Sequence, residues 1–304
     1  MTTPWQPEHV IDRALVETLL DSQVSNLDLS NLEHVGSGWD HEVWRCGDTV
    51  FRFPHQHDAL ELAADTASIV SRLADRLPFR IPIPTHFGTP TTFYPGRFVG
   101  YQYLPGCLPA QLSLTHDERS QAAAPLAHGL KALHLVPRQL AESWGTARAS
   151  IEGELALRTE KAKLRAAQLA SSRFAKLAAR AVDAMVPPPP EVEETERRLV
   201  HGDLHSGQLI FDRQRQFVGI LDWDEVSIGD PAHDLLLVYS FLPKTARARF
   251  WSIYGPFSGK ARARHLALSY GLAILFQAIE CGQDALRDEA AFSLANALVW
   301  DPKT

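Results

Sequence analysis

Two aspartates, Asp203 and Asp222, carry the spacing in this 304-residue chain that most resembles a chemical site. Asp203 stands in His201-Gly202-Asp203-Leu204-His205-Ser206-Gly207-Gln208, just before the apolar run Leu209-Ile210-Phe211. A polar stretch from Asp212 to Gln216 then gives way to a second apolar run, Phe217 to Leu221, which ends on Asp222. Two short apolar runs separated by a polar turn read as two buried strands. Paired, they bring the acid before the first strand near the acid after the second, and two carboxylates at strand ends can share one reacting group.

The surrounding elements must hold these acids in place. Leu32 to Gly36, Glu42 to Cys46 and Thr49 to Phe53 read as three strands, with Gly36-Ser37-Gly38 in the first turn and Cys46-Gly47-Asp48 in the second. Arg80 to Pro84 is kept extended by its prolines, and Phe98 to Leu104 reads as a strand running into Pro105-Gly106. Helical periodicity covers Ile11 to Leu20, Asp117 to Leu135 and Leu266 to Ile279, and a helix is expected over Leu60 to Leu77. Ile151 to Val186 has a helix-forming composition, broken by Pro187 to Pro190, and Pro231 to Leu242 starts as a helix with Pro in its first turn.

Composition narrows the class. With 45% hydrophobic residues, a chain of this length buries a sizeable core in one large domain or two lobes. A net charge of -6 supplies no basic face, so nucleic acid is not an expected partner. Cys46, Cys107 and Cys281 show no paired spacing and no adjacent His cluster, so neither zinc nor a disulfide framework is expected. Met1 to His9 lacks the basic-then-apolar order of a signal peptide, and no apolar run reaches membrane-spanning length. A cytoplasmic monomer with no membrane partner is the expectation.

The pattern His-x-Asp-x4-amide, followed by Asp at the end of the next strand, resembles the catalytic loop and metal-binding Asp of protein kinases. Gly202 stands where those loops have Arg, and Trp223-Asp224 follows the second Asp in place of Phe-Gly. With Gly229-Asp230-Pro231-Ala232-His233-Asp234 downstream, the set is similar to the aminoglycoside and macrolide phosphotransferases, antibiotic kinases of the protein-kinase fold, and it covers most of the chain. The resemblance implies an α+β, bilobal protein-kinase-like fold. Residues 1–103 form a small β-rich nucleotide-binding lobe ending in the hinge, and residues 104–304 a larger, mostly helical catalytic lobe. Helical substrate regions are expected at 150–190 and 243–300.

The resemblance also implies roles. Asp203 is the expected catalytic base for the acceptor hydroxyl, and Asp222 the ligand of Mg²⁺, with the amide oxygen of Gln208 as a further ligand. Gly36, Ser37 and Gly38 form the phosphate-approaching turn, where glycine removes the side chain that blocks backbone N–H groups. Arg52 takes the strand position of the phosphate-holding Lys, with Glu61, Asp65 or no acid as its partner. Gln102, Tyr103 and Leu104 are the hinge. His201, Asp230 and Asp234 are structural supports of the loop. The implied activity moves the γ-phosphate of ATP or GTP to a hydroxyl of a small molecule, an aminoglycoside first. A macrolide, a metabolic sugar or alcohol, and a pseudokinase without turnover are the alternatives. Acids from Glu191 to Glu196 and Glu280 to Glu289 suit a polycation, whereas the basic residues from Arg158 to Arg180 and Lys244 to Arg264 do not.

Overall fold

The computed structural model describes residues 9–38, 40–55, 59–149 and 153–300, the stretch 59–65 by its backbone alone. The chain forms two compact units: Met1–Ala74 with Ile81–Leu104 and Asp222–Asp224, and Asp75–Arg80 with Pro105–Leu221 and Glu225–Thr304. The division is therefore not the single cut expected between 103 and 104. Arg80 donates its N–H to Val218 O at 2.9 Å and accepts from Ile220 N–H at 3.0 Å, which ties the 75–80 segment to the second unit.

In the first unit, α1 (Arg13–Gln23) precedes β1 (Leu32–Ser37), β2 (His41–Cys46), β3 (Thr49–Pro54), α2 (Ala59–Leu73), β4 (Pro84–Phe87) and β5 (Val99–Gln102). Among the described residues these strands make one antiparallel sheet in the order β1-β2-β3-β5-β4. Asp12 starts α1 by accepting Leu15 N–H at 2.9 Å, one of the orphan donors of a first helical turn. Val16, Leu19 and Leu20 of that helix share a core with Trp44, Phe51 and Phe53. Because side chains alternate along a strand, burying Phe51 and Phe53 on one face of β3 sends Arg52 to the other.

The second unit opens with α3 (Pro109–Leu112), α4 (His116–Gln121), α5 (Ala123–His134), α6 (Arg138–Ser143), α7 (Glu154–Gln168) and α8 (Ala175–Ala184). Strand β6 (Arg198–Val200), the hairpin β7 (Leu209–Phe211) and β8 (Phe217–Ile220), and β9 (Ser227–Gly229) follow. It ends with α9 (Ala232–Leu235), α10 (Leu237–Ser240), α11 (Lys244–Tyr254), α12 (Lys260–Glu280) and α13 (Asp284–Leu298). The helix expected over 117–135 divides at Ala122, since Pro125 has no N–H to close the next turn. Thr115 and Glu118 form a reciprocal cap at the start of α4. Gly282, with φ +66°, lets the chain leave α12 in a left-handed turn. Antiparallel pairing of Leu209 with Ile220 gives the hairpin that the two apolar runs require, and β6 pairs with β9. Among the described residues no helix is long and apolar enough to cross a membrane.

Candidate active site

In the second unit, the loop after β6 is held from below by one buried carboxylate. Asp234, fully buried on α9, accepts the N–H of His201 at 2.9 Å and of Gly202 at 3.0 Å, and His134 Nε2 lies 2.9 Å from the same carboxylate. Burial disfavours the charge of Asp234, but the hydrogen bond and charge of His134 outweigh it and lower the pKa. His201 Nε2 is 2.9 Å from Leu221 O, so its ring joins the loop to the residue before Asp222. Asp230 behaves differently from the expected loop support: it accepts the N–H of Ala232 at 3.0 Å and pairs with Arg262 at 2.7 Å.

Gly202 has a physical reason to replace the Arg of the protein-kinase loop. Its φ is +93°, and a Cβ there would lie 2.4 Å from Glu225 O. Gly202→Ala is expected to destabilise the protein by about 1–3 kcal/mol through backbone strain and this contact. Thermal melting of the variant checks it, and an unchanged midpoint would show that the loop relaxes freely.

Asp203 faces α12. Tyr270 donates its hydroxyl to Oδ1 at 2.8 Å, while Gln208 Nε2 makes only a long 3.4 Å contact with Oδ2. Burial and the Asp203 charge raise the pKa of Tyr270, so its phenol stays a donor. The Arg158 guanidinium lies 4.7 Å above the Tyr270 ring and 3.4 Å from its hydroxyl. Arg158 also pairs with Glu154 at 2.7 Å, whose second oxygen meets His233 Nε2 at 3.1 Å. Burial alone would raise the pKa of Glu154, but His233 and then Arg158 hold it at about 2. A carboxylate depressed on folding stabilises fully above its ordinary pKa of 4.5 and loses that contribution as pH falls towards 2. The melting difference between wild type and Glu154→Gln should therefore be constant from pH 7 to 5 and shrink below about 4, starting from about 2–3 kcal/mol. A difference independent of pH would contradict the pairing.

The first unit presents a second charged group. Arg52 spreads its guanidinium over two acids, Nη1 to Asp222 Oδ1 at 2.8 Å and Nη2 to Asp224 Oδ2 at 2.6 Å. Burial works against the Arg52 charge, but Asp224 and Asp222 raise its pKa beyond the ordinary value. His41 Nδ1 lies 3.5 Å from Arg52 Nη2, and burial followed by the Arg52 charge pushes its pKa down to about 3, so the imidazole is neutral near pH 7. Asp222 adopts φ +63°, a left-handed conformation uncommon for a residue with a side chain. The acids considered as partners of Arg52, Glu61 and Asp65, have side chains outside the described residues.

The other expected residues sort by what their groups already do. A Cβ at Gly36 would meet nothing within 4 Å, and Gly38 closes the turn by donating to His41 O at 2.8 Å. The Ser37 hydroxyl donates to Glu42 at 2.8 Å. In the segment expected to form a hinge, Gln102 N–H donates to Ile83 O and Tyr103 N–H to Asp48 O, both at 2.8 Å. Among the described residues the N–H of Leu104 makes no backbone hydrogen bond. The Gln208 amide oxygen is turned back onto His205 N–H at 2.7 Å. Its extra methylene relative to Asn permits this fold-back, and the oxygen must leave that bond to ligate a metal. The Asp222 carboxylate is a hard oxygen donor of the kind Mg²⁺ takes. Among the described residues no three His, Cys, Asp or Glu side chains cluster as a metal site on their own.

Many of the acids expected to attract a polycation are occupied. Glu194 pairs with Arg138, Arg148 and Arg197 at 2.6, 3.4 and 3.0 Å, and Glu196 with Arg262 at 3.7 Å. Glu289 is buried against Arg119 at 2.8 and 2.5 Å, and Asp284 and Asp288 both meet Arg287. A macrolide, large and mostly apolar, needs an apolar wall, but Tyr239, Phe241 and Phe250 of the C-terminal third are buried in the core. A cavity of about 20 Å³ beside His205, Ser206, Tyr270 and Ser293 has room for one water, not for an acceptor.

Comparison with known proteins places the class. The family model described as Phosphotransferase enzyme family matches residues 31–267. The chain belongs to that family. It is 30% identical to viomycin phosphotransferase of Streptomyces vinaceus over 100 residues, 32% of this chain and 34% of that protein. The matched stretches span only 22% and 34% of the two curated relatives. The GDP complex of aminoglycoside 2'-phosphotransferase-IIIa shares the fold at TM-score 0.68 and 18% identity, over 95% of this chain and 99% of the other. Macrolide 2'-phosphotransferase of Brachybacterium faecium shares it at TM-score 0.59 and 22% identity, over 92% and 97%. These likenesses agree with a β-sheet N-terminal part and a helical C-terminal part.

Proposed function

We propose that the chain moves the γ-phosphate of ATP or GTP to a hydroxyl of a small molecule, with residues up to 103 serving the nucleotide and residues from 104 the acceptor. The observation that carries this is the Arg52 fork on Asp222 and Asp224. A strand cation paired with the acid after the hairpin is what a phosphate-and-metal site needs before its ligand arrives. Phosphoryl transfer asks the protein to position two substrates and to balance charge on the moving group, which a few fixed residues accomplish.

Arg52 holds phosphate oxygens, and Asp224 keeps it aimed when Asp222 turns to the metal. Backbone groups at Gly36, Ser37 and Gly38 approach the phosphates. In the hinge, the Leu104 N–H is the donor left for the purine edge, since those of Gln102 and Tyr103 are bonded within the unit. Asp222 would hold Mg²⁺, and Gln208 could offer an oxygen to a metal only if its amide left His205. Bound there, the ion would neutralise charge on the β- and γ-phosphate oxygens. Asp203 accepts the proton of the acceptor hydroxyl on Oδ2 while Tyr270 fixes Oδ1. His201 and Asp234 keep the loop in register.

The names of the relatives support an antibiotic-like acceptor, an aminoglycoside first and a macrolide second. The screen that tests the proposal incubates the protein with Mg·ATP and Mg·GTP and a panel of aminoglycosides, macrolides, sugars and small alcohols, reading products by mass spectrometry. A product heavier by one phosphoryl group is expected. Intact acceptors and intact nucleotide throughout would favour a pseudokinase instead.

A further inference from the structure

We infer that the acceptor presented to Asp203 carries an anionic group near its hydroxyl, a carboxylate or a phosphate or sulfate ester, received by Arg158 and Arg165 on α7. The inference rests on the reading of Asp203 as the base of a kinase and departs from the polycationic acceptor that the relatives' names suggest. Tyr270 is the bridge: its hydroxyl is 2.8 Å from Asp203 Oδ1 and 3.4 Å from the Arg158 guanidinium. A fixed cation thus stands one side chain away from the carboxylate that receives the hydroxyl.

That cation has capacity to spare. A guanidinium has five N–H donors; in Arg158, Nε serves Glu154 and one Nη2 proton serves Tyr270, so three have no partner among the described residues. Glu154 cannot balance a further cation, because its other oxygen is taken by His233. Arg165 lies seven residues on, about two turns along the same face of the helix. It is half-buried, and among the described residues it has no acidic side chain at ion-pair distance. Burial and then the Arg158 charge both lower its pKa, which marks the pair as like charges held together. Two guanidinium groups on one helix face, of which only Arg158 meets a carboxylate among the described residues, make a receptor that an anion completes, because guanidinium forks match carboxylate and phosphate oxygens. An amine in the same place meets repulsion instead. A polycationic aminoglycoside would need acids here, and those from Glu194 to Glu196 and Asp284 to Glu289 are engaged with arginines.

The anion receptor is tested without knowing the acceptor. Inorganic sulfate is titrated calorimetrically at constant ionic strength into the full chain held with saturating Mg·ADP or Mg·GDP, whichever raises its melting point. Wild type should bind sulfate at least about tenfold more tightly than folded Arg158→Gln and Arg165→Gln, as expected for loss of a charge-assisted contact. Equal affinity in the three proteins overturns the proposal. A matched set of acceptors of charge minus, zero and plus, namely glycerate, glycerol and 2-amino-1,3-propanediol, is then compared with kanamycin. Glycerate should have the highest kcat/KM, and its advantage over glycerol should fall about tenfold in Arg165→Gln, mainly through KM. Kanamycin or the amino alcohol as best acceptor overturns it too. Absence of any Mg²⁺-dependent nucleotide consumption, even with water as acceptor, would remove the kinase reading, while the sulfate titration still decides the anion receptor.

Discussion

Asp203→Ala is expected to lower phosphoryl transfer by about 10²–10⁴-fold while leaving nucleotide affinity within about twofold. The asymmetry follows from where the side chain points. Asp203 belongs to the loop of the second unit, where it touches Tyr270 and Gln208. Its removal therefore takes away the group that receives the acceptor proton and little else. Asp203→Asn is the sharper form of the test, since the amide keeps the Tyr270 contact and cannot accept a proton at pH 7. Steady-state kinetics and nucleotide titration separate the two effects. A loss seen only as weaker nucleotide binding would assign Asp203 to the wrong substrate.

Asp222→Ala is expected to cost at least about 10³-fold and to raise the Mg²⁺ concentration needed for half-maximal rate. Two functions disappear together: the carboxylate available to the ion, and one of the two acids that aim Arg52. Asp224 remains, paired with Arg52 at 2.6 Å, so the fold and part of the phosphate affinity should persist. Asp224→Ala should instead weaken nucleotide binding with a smaller change in Mg²⁺ requirement, because it removes the aim of Arg52 and leaves Asp222 in place. An Asp222→Ala protein with wild-type Mg²⁺ dependence would remove Asp222 from the metal site.

The larger elements were legible because each rests on local chemistry. Alternation on β3 sends Arg52 to the face opposite Phe51 and Phe53, and two apolar runs around Asp212 to Gln216 can pair in only one useful register. Helix ends were harder. The break at Ala122 comes from a missing N–H at Pro125, which leaves the helical period nearly intact.

The site residues divide the same way. Asp203, Asp222 and Arg52 stand at strand ends or on strands, where spacing carries information. Their partners come from remote segments. Tyr270 lies within the periodic 266–279 run, where its phenol is the one signal that sets it apart from the aliphatic residues beside it. Arg52 pairs with Asp222 and Asp224, which lie far along the chain, while the side chains of Glu61 and Asp65 are outside the described residues. Asp230 and Asp234 sit in one motif, yet only Asp234 accepts the loop N–H groups; the sequence has no marker for that difference. Gly202 was noticed as a departure, and its cause, the approach of Glu225 O, is visible only in three dimensions.

The most direct measurement follows a label. With nucleotide carrying ³²P at the γ position, wild-type protein and Mg²⁺ should move the label into an acceptor molecule, and the transfer should vanish in Asp203→Ala and with the metal chelated. Label that stays on the nucleotide with every acceptor, or that moves equally well without Asp203, would contradict a kinase built on these two acids.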